Sequence, residues 1–119
     1  VVSVTLPRVT SPLVAPTVLI DDDALVRLTW QAAARSSGRR LSAFASYQEF
    51  LAAVGRFPAE TPIYLDSDLG GGARGESLIP EVRARGFSEI YLATGRDPAE
   101  FRGIAGLKGV RGKEPPWSD

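Results

Sequence analysis

Five polar side chains in this sequence stand at or just beyond the ends of short apolar runs. Asp21 and Asp22 follow residues 17–20, Asp66 follows 63–65, Thr94 follows 89–93, and Lys113 follows 107–111. Gathered together, the three carboxylates would repel one another and raise each other's pKa values unless a cation lay among them. A few hard oxygen ligands, with room for water and a phosphate oxygen, suit Mg²⁺. A carboxylate is a competent nucleophile toward phosphorus once a metal and a lysine neutralise the incoming charge. Lys113 supplies a point charge for one phosphoryl oxygen, and the Thr94 hydroxyl supplies a donor for another. Gly95, beside Thr94, leaves space for the group to enter.

Composition narrows the chemistry. The chain has 119 residues, 44% of them apolar and 24% charged, which suits one globular domain with a single core. Fourteen basic and fourteen acidic residues cancel. No basic excess points to nucleic acid or to an anionic membrane surface. Cys and His are both absent. That removes disulfides, thiolate nucleophiles, His-ligated zinc, Ser-His-Asp catalysis and phosphohistidine on this chain. No apolar stretch reaches the ~18 residues of a membrane helix, so the cytoplasm is the expected compartment.

The elements must bring the five groups together. Residues 1–16 carry three prolines and read as a leader or linker, with the domain proper over 17–119. Residues 17–20 read as a buried strand. Leu25, Leu28, Ala32 and Ser36 fall on one face of a helix that starts at Asp23 and stops at Gly38. A second strand covers 41–45. Ser46 and Glu49 form a capping-box pattern for a helix whose apolar face is Phe50, Leu51 and Val54. The third strand is 63–65. A glycine-rich loop, 70–75, leads into a helix over 75–85 that Pro80 should distort. The fourth strand is 89–93. Asp97 and Pro98 start a short helix. A fifth strand covers 107–111, and the tail EPPWSD cannot be helical. Alternating βαβ units predict an α/β fold with a doubly wound, parallel five-stranded sheet. In such sheets the functional groups lie beyond the carboxyl ends of the strands.

With those placements, the segments VLIDDDALVR, IYLDSDLGGG, YLATG and GKEP resemble the receiver domain of response regulators and hybrid histidine kinases, over about residues 17–116. The resemblance implies a flavodoxin-like receiver fold. It implies a Mg²⁺ site on Asp21, Asp22, Asp66 and the backbone carbonyl of Asp68. It also implies Asp66 as phosphoacceptor, Thr94 as switch hydroxyl and Lys113 as the phosphate-binding lysine. The implied partner is a histidine kinase or a histidine phosphotransfer domain. The chain differs from the family in three places. Glu114 separates Lys113 from Pro115, Val110 stands where an aromatic switch is common, and six residues after Lys113 are too few for the usual fifth helix. The face that helix covers would then be bare, covered by residues 1–16, or buried in a second copy as a homodimer. The leader VVSVTLPR is similar to the last strand of a histidine-kinase ATP-binding domain, which would make this the C-terminal receiver of a hybrid kinase whose parent chain could be membrane-anchored. An arbitrary linker fits as well.

Other readings stay open. The triple Asp can serve as a helix cap, a role that suits Asp23. Lys108 and Arg111 compete with Lys113. GxxxxGES over residues 70–77 falls short of a phosphate loop because Glu76 takes the lysine position. Trp30 and Trp117 read as packing or interface residues. Asp66-Ser67-Asp68 also fits the start of a haloacid dehalogenase-type phosphatase, with Asp66 as nucleophile and Asp68 as acid. A degenerate receiver that only docks partners is the third reading.

Overall fold

The parallel sheet follows from strands that are apolar on both sides. In the computed structural model, which describes residues 15–117, the elements run β1 (Pro16–Ile20), α1 (Ala24–Ser36), β2 (Arg40–Phe44), α2 (Tyr47–Ala53), β3 (Ile63–Leu65), α3 (Ile79–Ala84), β4 (Ile90–Ala93) and β5 (Gly109–Arg111). Short 3₁₀ turns occupy Val54–Arg56, Gly75–Leu78 and Pro98–Phe101. All strand pairs are parallel, in the order β2-β1-β3-β4-β5. This is the doubly wound parallel sheet the alternation predicts, in the flavodoxin-like arrangement the resemblance implies, with its switch point between β1 and β3. Of the leader, residues 1–16, positions 1–14 lie outside the described residues. β1 opens one residue before the expected start, at Pro16, where a missing N–H is tolerated.

Register sets the site. Ile20 pairs with Leu65 and Leu65 with Leu92, so Asp21 and Asp66 leave the sheet side by side. The Asp66 N–H donates to the Ile20 carbonyl at 2.9 Å and ties the two strand ends together.

The caps act locally. Asp23 accepts from the Leu25 N–H, Ser46 from the Glu49 N–H and Asp97 from the Ala99 N–H. Each satisfies a helix-end donor that has no partner within its own helix. The Glu49 carboxylate reaches back to the Ala45 N–H, one residue before the cap. Pro80 has the predicted effect. Lacking an N–H, it cannot continue a ladder begun at Gly75, so Gly75–Leu78 winds as 3₁₀ and α3 starts at Ile79 with Pro80 in its first turn.

Strand alternation divides the core between two faces. Val18, Ile20, Ile63, Leu65, Ile90 and Leu92 meet Tyr47 and Phe50 of α2, Ile79 and Val82 of α3, Phe87 and Phe101. The other face is smaller: Leu19, Tyr64 and Ala93 meet Trp30 of α1, with Val26, Tyr91 and Trp117 packed around them. The orientation of α1 differs from the sequence expectation. Leu25 and Leu28 are 70% and 62% exposed, whereas Trp30 and Ala34 are buried. Apolar residues occur all round ALVRLTWQAAARS, so periodicity alone cannot choose a face. Trp30 decides it, because burying an indole removes more apolar surface than burying either leucine.

Among the described residues no helix follows β5. The tail itself lies on part of the smaller face. The Trp117 ring meets Trp30 edge-to-face at 5.9 Å, and Trp30 meets Tyr64 likewise at 5.3 Å. The covering segment thus includes residues C-terminal to Lys113, an occupant the sequence reading did not consider.

Candidate metal centre

Asp21 is fully buried, and a buried carboxylate needs partners. It has them on both oxygens. Oδ1 accepts from the Asp23 N–H at 2.9 Å, and Oδ2 accepts from Lys113 Nζ at 2.7 Å. The same ammonium lies 2.8 Å from Asp66 Oδ1. Lys113 therefore bridges the acids that end β1 and β3. Asp22, exposed, completes the group: oxygens of Asp21, Asp22 and Asp66 lie within 4.8 Å of one another, a set that could hold a metal ion. The donor set fits a divalent cation. Three carboxylates and one ammonium leave a surplus of two negative charges when all are ionised.

Glycines shape the surroundings. A Cβ on Gly75 would lie 2.0 Å from the Asp66 carbonyl oxygen, so no other residue fits there without moving the backbone. Gly70 has φ +84°, and a Cβ on it would press on Asp22 Oδ2 at 2.9 Å. Between them, Gly70–Gly72 turn the tip of a small hairpin closed by the Leu69 N–H to the Ala73 carbonyl and by the Gly75 N–H to the Ser67 carbonyl. The glycine run therefore makes a tight loop beside the acids.

Electrostatics follow burial. Desolvation raises the Asp66 pKa above its ordinary value. Lys113 and the Asp68 N–H pull it down, and the Asp21 charge pushes it up. For Lys113, burial alone would lower the pKa, but the hydrogen bonds to Asp21 and Asp66 outweigh it and leave the ammonium held above its usual value. Of the competing cations, Lys108 is engaged elsewhere, with Glu89 at 3.1 Å, and Arg111 lies within β5.

The structure brings Asp21, Asp22, Asp66 and Lys113 together. Asp23 is the helix cap. Thr94 is buried at the end of β4, and its hydroxyl engages the Ser67 hydroxyl at 3.0 Å and the Arg96 N–H at 3.1 Å. The Asp68 side chain is exposed, its Oδ1 accepting from the Gly70 N–H at 3.2 Å, while its backbone N–H bonds Asp66.

Sequence reasoning missed three contributors. Arg27 donates to the Asp21 carbonyl at 2.9 Å. Trp30 donates its indole N–H to the Lys113 carbonyl at 2.8 Å, joining positions 83 residues apart. Ser67, fully buried, partners Thr94. Only Ser67 carried a local signal, as a hydroxyl between two acids directly after a buried strand. No helix among the described residues is long and apolar enough to cross a membrane. No family model matches this chain and no curated protein matches it, so the reading of the site rests on its geometry.

Proposed function

We propose that this domain is a phosphoacceptor of the two-component receiver type, taking a phosphoryl group from phosphohistidine onto Asp66 beside Mg²⁺. The observation that carries this reading is the lysine bridge: Lys113 Nζ is 2.7 Å from Asp21 and 2.8 Å from Asp66, with Asp22 alongside, at the carboxyl edge of a parallel sheet. Asp21, Asp22 and Asp66 would hold the Mg²⁺, with the Asp68 carbonyl as a further ligand. When bound, the ion supplies charge neutralisation for the phosphoryl oxygens.

The chain's own groups do the rest. An Asp66 carboxylate oxygen forms the O–P bond as the N–P bond of the donor phosphohistidine breaks, and the leaving electron pair stays on the imidazole nitrogen. Lys113 follows the phosphoryl charge from its place between the carboxylates. Thr94 offers its hydroxyl to a phosphoryl oxygen. The acyl phosphate then biases the β4–β5 side of the domain toward a second arrangement.

The partner this reading implies is a protein bearing phosphohistidine, either a histidine kinase or a histidine phosphotransfer domain. Leu25 and Leu28, exposed in the first turns of α1 just after Asp22, support a protein donor over a small molecule. A cytoplasmic domain at the C-terminal end of a hybrid kinase suits the reading. A homodimer across the α1 face would have to share that face with Trp117.

Two observations weigh against the alternatives. As a dehalogenase-type acid, Asp68 would face the nucleophile, yet its carboxylate is turned to the Gly70 N–H. A docking module without phosphorylation would not need a buried Asp21 paired to Lys113.

The test is incubation with a small-molecule phosphodonor and Mg²⁺, read by intact mass. One phosphoryl group is gained by the wild type and none by Asp66→Asn. A gain that survives Asp66→Asn, or no gain in the wild type, rejects the reading.

A further inference from the structure

Ser67 and Thr94 pose a hydrogen-counting problem. Both are buried, and their hydroxyl oxygens lie 3.0 Å apart across β3 and β4. The pair carries two hydroxyl hydrogens but has only one mutual contact. The Arg96 N–H adds a third donor, at 3.1 Å from Thr94 Oγ1. Among the described residues neither hydroxyl has any other hydrogen-bond acceptor, so one of the two hydrogens is left without one. An unmade hydrogen bond in a buried place is costly. Among the described protein groups the pair thus has a donor to spare.

Which hydroxyl holds the spare hydrogen follows from the surroundings. Thr94 Oγ1 already accepts from Arg96. If Ser67 also donates to it, both Thr94 lone pairs are used and its own hydrogen is the spare one. In the opposite arrangement the spare hydrogen belongs to Ser67, which is 0% exposed, whereas Thr94 keeps 3% of its surface. Ser67 directly follows Asp66, and Thr94 ends the strand next to the one that Asp66 ends. An oxyanion formed on Asp66, one residue before Ser67 and at the end of the strand paired with β4, would be a new acceptor for the spare hydrogen.

We infer that Ser67 is a positioning residue: Ser67 donates to Thr94, Thr94 donates to an oxyanion on Asp66, and the two hydroxyls act as one relay. This deepens the phosphoacceptor reading and rests on it. Two hydroxyls in series polarise one another, so the outer hydrogen binds an anion more strongly than a lone threonine would. The relay also makes Thr94 respond to the charge on Asp66 without an aromatic partner.

The test is binding of beryllium fluoride, a phosphoryl mimic, to the full chain with Mg²⁺, followed by ¹⁹F NMR and calorimetry. Ser67→Ala should weaken binding about fivefold relative to the wild type. In a Thr94→Val background the same change should have no further effect, because the relay has no second member. Ser67→Thr should restore binding. Ser67→Cys, close to serine in size but a feeble donor, should lose affinity in the same direction as Ser67→Ala and keeps the test alive if the alanine variant folds poorly. Wild-type binding that Ser67→Ala leaves unchanged or tightens overturns the relay and leaves the phosphoacceptor reading standing. An equal loss with and without Thr94 also overturns it. A wild type that does not bind beryllium fluoride overturns the reading on which the relay rests.

Discussion

The two faces of the sheet are built differently. Against α2 and α3, aliphatic side chains and phenyl rings dominate the larger cluster, and Phe50 stacks on the half-buried Phe57. Against α1, a smaller cluster sets four aromatic rings among aliphatic side chains, and those rings carry polar atoms. Trp30 bonds the Lys113 carbonyl, and the Tyr64 and Tyr91 rings stack at 4.9 Å. The first face contributes chiefly burial, with one polar tie from the Tyr47 hydroxyl to Glu81 at 2.9 Å. The second couples burial to the position of the lysine that bridges the two acids. Stability and site geometry should therefore respond to different substitutions.

The largest expected effect belongs to the first face. Phe50→Ala should lower stability by about 4 kcal/mol in urea unfolding, the range for a buried phenyl ring lost to a cavity. The folded fraction should still take up phosphoryl at the wild-type rate, measured by mass below the unfolding transition. A smaller stability effect with a larger functional one is expected from Trp30→Phe. Most of the ring stays, so the loss should be about 2 kcal/mol, part of it from the Lys113 carbonyl left without its donor. Phosphoryl uptake should slow by about tenfold, because the lysine is no longer held in place. If both variants slow uptake equally, or neither does, the contrast between the faces fails.

A finer test concerns charge. Burial raises the Asp66 pKa in the metal-free protein, and Asp21 adds to the rise. The folded chain thus keeps the Asp66 proton to higher pH than the unfolded chain does. The stability from this group is fully present below the unfolded pKa and is lost as pH rises through the folded value. Asp21→Asn removes one repelling charge and leaves Lys113 to Asp66 alone, so the Asp66 midpoint should fall, read by carboxyl ¹³C NMR. An unchanged or higher midpoint would show that the two acids do not share the lysine.

Much of this was legible in the sequence, for local reasons. Buried parallel strands are short apolar runs, and Asp21, Asp66 and Thr94 mark where three of them stop. Ser46, Asp23 and Asp97 announce their helices through bonds to residues two or three positions away. What stayed hidden depends on distant partners. The bond from Trp30 to Lys113 spans 83 residues, and that from Ser67 to Thr94 spans 27. Neither leaves a period or a cap. The face of α1 was misread because its sequence is apolar all round, and only the tertiary place of Trp30 settles it. The register between β1 and β3 was equally invisible, yet it places the two acids as neighbours.

The aromatic cluster on the second face also makes the domain its own optical instrument. The chain has two tryptophans, and they meet edge-to-face at 5.9 Å, one of them bonded to the backbone of the bridging lysine. All of its indole emission therefore arises from one ring pair that is joined to the acid group through Lys113. Ring transitions that close couple, so a displacement of the Lys113 backbone should register in the near-ultraviolet circular dichroism and the emission colour of the unlabelled protein.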